Sequence, residues 1–163
     1  MGLSILDLAA CVGHHQRLEA RLASLVGGWA RDDREPSAAA LFAQHCPQFA
    51  WHADLWAERL PSQPSTSLDA TIDAGPSTAG EPCRFDESLI HSVDTLAVAN
   101  DTIERLVGVY QLVLPRLVAT CESLRATIDP RVDGPTARVL DLVVRDLTVA
   151  ISDGTELLTR LRG

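Results

Sequence analysis

The sequence predicts an all-α protein, an antiparallel bundle of four helices, on three observations. Leu, Val and Ala are plentiful while aromatics make up 4% of the chain, a mix that favours helices over a sandwich or barrel. Four stretches carry apolar residues at alternating three- and four-residue steps, the spacing of one helix face. No stretch alternates apolar and polar residues with period two, so strands are not expected.

The first helix follows from the seam Ile5, Leu8, Val12, His15, Glu19, Leu22, Val26 and Trp29. Gly27 and Gly28 predict its stop. The second starts near Pro36 or Ser37, both good helix starters. Its seam reads Leu41, His45, Gln48, His52 and Leu55, beside a seven-residue stripe of Phe42, Phe49 and Trp56. Pro47 removes one backbone donor there, which predicts a kink or a start moved to about residue 46.

Residues 61–84 are Pro, Ser, Thr, Gly and Ala with little periodicity. They predict a mobile linker within a single domain spanning 1–163, long enough to let helices two and three run parallel. The third helix opens at Asp86 as N-cap, with Phe85 and Ile90 placed as a hydrophobic staple. Its seam runs from Leu89 through Asn100, Tyr110 and Cys121 to Ile128. Pro115 predicts a helix that is kinked there or split in two. The fourth starts at Gly134-Pro135, with Leu140, Val143, Leu147, Ala150, Leu157 and Leu161 as its seam. Gly154 falls on that seam, where a small residue permits close helix approach.

The chain carries 22 acidic and 14 basic residues, a formal net charge of -8. Such a surface repels a nucleic acid duplex or an anionic membrane, so neither is an expected partner. Cys11, Cys46, Cys83 and Cys121 form no C-x-x-C pair; the plain expectation is buried thiols in a reducing compartment. With no basic n-region and no stretch able to span a bilayer, a cytoplasmic protein is expected.

Polar groups interrupt three of the four seams: His15 and Glu19, then His45, Gln48 and His52, then Asn100 with Glu104 one turn on. On the fourth helix Asp146 is flanked by Leu142, Val143 and Val149. Burying an ionisable group unpaired costs several kcal/mol, so these side chains must satisfy one another or ligate a metal. His15 and Glu19, four residues apart, project together. His45 and His52 are two turns apart, too far for one ion to take both. A carboxylate and an imidazole on facing helices suit iron, manganese or zinc. There is no G-x-S-x-G elbow, Gly-rich phosphate loop, H-E-x-x-H or EF-hand loop. Adjacent His45 and Cys46 diverge on a helix, so they make no nucleophile–base pair. His14 is expected to face solvent and His91 to lie at the edge of its seam.

The run His15-Gln16-Arg17-Leu18-Glu19-Ala20-Arg21-Leu22, closing with Leu25-Val26-Gly27-Gly28-Trp29, resembles the first helix of the ferritin-like superfamily. Ala50-Trp51-His52-Ala53-Asp54-Leu55-Trp56-Ala57-Glu58-Arg59-Leu60-Pro61 resembles its second. Val113-Leu114-Pro115-Arg116-Leu117 and Asp133-Gly134-Pro135-Thr136-Ala137-Arg138-Val139-Leu140 resemble later helices. The resemblance implies a four-helix bundle around a carboxylate-bridged di-metal site, with one Glu from each of two helices and a Glu-x-x-His from each of the others. By that resemblance Glu19 stands for the first Glu, Glu104 for the Glu of helix three, and His52 for an imidazole. Gln48 or His45 falls where the acid of helix two belongs. On helix four, Asp146 is followed three residues later by Val149 rather than His.

The implied ligand set is therefore incomplete, and a carboxylate-poor site neutralises two divalent ions badly. The expected metal content is none, or one iron, manganese or zinc ion on Glu19, His52 and Glu104. Three functions remain open. The favoured one is a non-catalytic accessory protein that binds a partner enzyme or forms a homodimer. The second is a metal-dependent oxidoreductase acting on a small molecule at a mononuclear or degenerate di-metal site. The third is a metal-free pocket enzyme using the interior histidines and acids.

Overall fold

A computed structural model describes residues 4–60 and 88–163, and every regular element among them is helical. The linker expected at 61–84, and the cap and staple expected at Asp86 and Phe85, lie outside the described residues.

Helix α1 (Ile5–Asp32) opens on Ser4, whose side chain accepts from the Asp7 N–H at 3.1 Å. It does not stop at Gly27-Gly28 as expected but runs on to Asp32. Two interior glycines cost about 1 kcal/mol each relative to alanine. Burying Trp29 against Phe42, ring centroids 5.3 Å apart, returns about 2–3 kcal/mol and offsets that. Gly27 serves packing instead: a Cβ there would lie 2.9 Å from Cys46 Sγ.

Just past α1, Asp33 is a buried latch. Its carboxylate accepts from Thr102 Oγ1 at 2.7 Å, Arg105 Nη1 at 2.8 Å and the Glu35 N–H at 3.0 Å. Burial alone would raise its pKa, but these donors prevail and lower it. The Arg105 guanidinium also lies 5.2 Å over the Trp29 ring.

Helix α2 (Pro36–Ala57) is capped by Glu35 and passes straight through Pro47, so the start does not move. Pro47 is exposed. A proline inside a helix costs about 3 kcal/mol; Phe42, Phe49 and Trp56, all fully buried, anchor the helix on both sides of it.

The third segment breaks elsewhere than at Pro115. Helix α3 (Ser88–Leu96) ends in a turn, and Asp101 caps α4 (Thr102–Leu106) by accepting from the Glu104 N–H at 3.0 Å. Helix α4 continues into a π-helical stretch, Val107–Val113, and then α5 (Leu114–Thr127), with helical backbone at both joins. The Leu114 N–H bonds the Val109 carbonyl five residues back. That wider turn delivers the chain to Pro115 without the ring meeting a carbonyl four residues behind, so one rod runs from Thr102 to Thr127. Helix α6 (Gly134–Arg162) begins where expected, with Asp133 accepting from the Thr136 N–H at 3.1 Å.

Contact registers give the directions. Glu19 meets His52 while Gly27 meets Cys46, so α1 and α2 are antiparallel. His52 meets Asp146 and His45 meets Asp153, so α2 and α6 are antiparallel. Arg125 meets Asp141 while Tyr110 packs on Gly154, so the Thr102–Thr127 rod and α6 are antiparallel as well. It follows that α2 and the rod run parallel, as a long connection permits. A Cβ at Gly154 would overlap the Tyr110 ring, which explains the glycine on that seam.

Cys46 and Cys121 are free thiols, but Cys11 is disulfide-bonded. This corrects the expectation of a thiol there and removes the argument it made for a reducing compartment. Cys83 lies outside the described residues. No helix among the described residues is long and apolar enough to cross a membrane.

Candidate functional site

Helix periodicity places His15 and Glu19 on the inner face of α1, and His45 and His52 on the inner face of α2. All four are almost fully buried. Asp146 and Asp153, like the two histidines, are seven residues apart, and α2 and α6 are antiparallel. Each aspartate therefore meets one histidine, and the interior carries two polar rungs of the same design. Each runs from a surface aspartate on α6, through a buried histidine on α2, to a second buried group behind it.

In the first rung His52 Nε2 lies 3.3 Å from Asp146 Oδ2, and His52 Nδ1 lies 3.4 Å from Glu19 Oε2. Both contacts are long for charge-assisted bonds. The side chains of His52 and Glu19 are wholly buried, and that of Asp146 is 19% exposed. Burial alone would lower the His52 pKa, but Glu19 and Asp146 reverse that and raise it. The Glu19 pKa is also raised, chiefly by burial, against the pull of His52 and the Trp56 indole. Both directions say that this rung holds protons more tightly than its members do in water. The Trp56 indole N–H lowers Glu19 as a weak donor, outside ordinary hydrogen-bond geometry, since Glu19 Oε1 and Trp56 Nε1 are both buried without a hydrogen-bond partner.

In the second rung the Tyr110 hydroxyl lies 2.9 Å from His45 Nδ1, and His45 Nε2 lies 3.5 Å from Asp153 Oδ2. Burial lowers the His45 pKa, and Asp153 only partly opposes it. Burial pushes the Tyr110 phenol up, with Asp153 adding to the shift. Both inner members of this rung are therefore neutral at pH 7.

One turn toward the N-terminus of α1 from Glu19, His15 stacks on Trp56 at 5.0 Å, and its Nδ1 lies 3.7 Å from Cys121 Sγ. Burial, then the charge of His14, pushes His15 down to about 4. Burial, then Glu19 and Glu122, pushes the Cys121 thiol well up. A neutral imidazole beside a protonated thiol is not an activated nucleophile.

Other expected site residues do not join these rungs. Gln48 is half-buried, while Asn100 and Glu104 are exposed. Asn100 lies in the turn between α3 and α4, so the break there takes it off the seam. Glu104 follows the Asp101 cap on the outer face of α4. His14, expected at the surface, is buried; Arg17 Nη2 lies 3.2 Å from its Nδ1, and burial, then Arg17, pushes its pKa down to about 4. Sequence reasoning missed Asp153 and the polar role of Tyr110. A readable signal existed, because the seven-residue spacing of Asp146 and Asp153 repeats that of His45 and His52.

The residues do not fit the expected metal. His52 turns both ring nitrogens to carboxylates, Nε2 to Asp146 and Nδ1 to Glu19. Glu104 does not face the interior. Among the described residues no three His, Cys, Asp or Glu side chains group in a way that could hold a metal ion. The depressions at Asp153, at Arg105 and at Leu96 are not lined by Glu19, His52 or His15.

No family model, curated protein or solved structure matches the chain.

Proposed function

We propose that this chain is a ferritin-like four-helix bundle that has lost the metal chemistry of that architecture and acts as an accessory protein, docking on a second copy of itself or on a partner enzyme. The observation that carries the reading is the Glu19–His52–Asp146 rung, whose buried side chains are turned on one another. Groups arranged in this way organise a core and set helix register; they offer nothing to a substrate. The outer surface favours docking: Trp51 is 47% exposed and Leu112 is 58% exposed, side chains of the kind that anchor interfaces when covered. A metal-dependent oxidoreductase would need Glu104 beside Glu19, and its exposed position on α4 speaks against that.

Light scattering on the purified chain, with pull-down from the native host, tests the reading. A mass near twice 17.6 kDa, or a stoichiometric complex, is expected, and Trp51→Glu or Leu112→Glu should disrupt it. A strict monomer that retains no partner overturns the proposal.

A further inference from the structure

The two rungs end differently at the surface. Asp146 has Arg145 Nε 3.6 Å from its Oδ1 and the raised-pKa imidazole of His52 behind it. Asp153 has only His45 as an ion partner among the described residues, at 3.5 Å. Burial keeps that imidazole neutral, and the contact is longer than an ordinary hydrogen bond. The Asp153 side chain is 35% exposed and accepts no hydrogen bond of ordinary length from any described side chain. A carboxylate so placed can accept from a ligand's donor in exchange for water.

Asp153 forms a wall of a groove of about 400 Å³ between the N-terminal half of α2 and the C-terminal part of α6. Leu41 and Leu157 give it apolar lining, alongside Ser37, Ala40, Gln44, Glu156 and Arg160. The size falls within the range of small-molecule sites. Two carboxylates against one guanidinium leave the lining one negative charge in excess, which selects a monocation. The groove is built rather than accidental: Asp153 abuts the buried His45, which bonds the Tyr110 phenol, and that ring is wedged on Gly154. The acceptor is therefore carried on rigid elements, which reduces the ordering cost of binding.

We propose that this groove binds a small organic ammonium ion, its head group donating to Asp153 and its carbon chain lying on Leu41 and Leu157. The ligand class is a primary aliphatic amine in its protonated form. The proposal is independent of the accessory role, since it concerns a different rung and face.

Titration of the full-length chain with n-butylammonium at constant ionic strength, followed by the side-chain ¹⁵N resonances of His45, tests it. Saturable binding with a Kd in the millimolar range, of order 1–10 mM, is expected for so small a ligand. Butyrate should give no saturable shift. Asp153→Asn should weaken binding about tenfold or more, and the exposed-site variant Glu156→Gln, which leaves the core untouched, a few-fold. Equal responses to n-butylammonium and sodium, or unchanged affinity in a folded Asp153→Asn or Glu156→Gln variant, overturn the proposal.

Discussion

The His52 and His45 rungs share an outer aspartate, a central imidazole on α2 and a seven-residue spacing, yet the two histidines titrate in opposite directions. The difference lies behind them. Glu19 gives His52 a second carboxylate in a water-poor centre, whereas Tyr110 gives His45 only a neutral phenol. One counter-ion at the surface does not repay the desolvation of an imidazolium here; two do. The outer aspartate pulls the same way in both rungs, and the inner partner decides whether that pull overcomes burial.

The largest test of this contrast removes each histidine. His52→Ala leaves Glu19 buried without its counter-ion and should cost about 3–5 kcal/mol of unfolding free energy. His45→Ala strands only a phenol and should cost about 1–3 kcal/mol. Urea denaturation of the two variants checks the order, and equal losses would break the distinction.

Next in size is the response to pH. His14 and His15 are each pushed from 6.5 to about 4, so the unfolded chain binds more protons below 6.5. Their contribution is complete above pH 6.5 and is lost as pH falls toward 4, at about 3 kcal/mol for the fully buried His15. His52 has the opposite sign: its stabilisation is present below 6.5 and is lost as pH rises through its raised folded value. Glu19 behaves likewise, stabilising below 4.5 and losing that as pH rises through its own raised value. Stability should peak between the two losses. A melting temperature that climbs steadily into alkali would contradict the assignment of His52.

The smallest effect on stability, and the sharpest on mechanism, comes from Glu19→Gln. An isosteric amide removes the charge and should shift stability by no more than about 1 kcal/mol. It should also bring His52 down toward the behaviour of His45, read from its ring resonances against pH. A His52 pKa unmoved by this change would show that Asp146 alone holds the proton.

Much of this architecture was legible because a helical period needs only local sequence. The seam through Glu19, the starts at Pro36 and Gly134, and the role of Gly154 all follow from the spacing of side chains along one helix. Where local signals competed with packing, packing prevailed. Gly27 and Gly28 read as a stop, but the burial of Trp29 offsets them. Pro115 reads as a break, but a π turn absorbs it, and the break falls where Asp101 caps a new helix. Asn100 dropped out because the break leaves it in an exposed turn, and Glu104 because it sits beside the seam on the exposed side of α4; the seam itself resumes in phase, with Tyr110, Leu114 and Leu117 buried.

The chain by itself determined that His15, Glu19, His45 and His52 would lie on inward faces, because periodicity fixes which side of a helix a residue occupies. Only the tertiary structure decided which acid meets which histidine, since that depends on the direction and register of helices distant in sequence. The direction in which each imidazole shifts was set at that last stage, because the balance between desolvation and a neighbouring charge depends on distances of a few ångströms that no single helix contains.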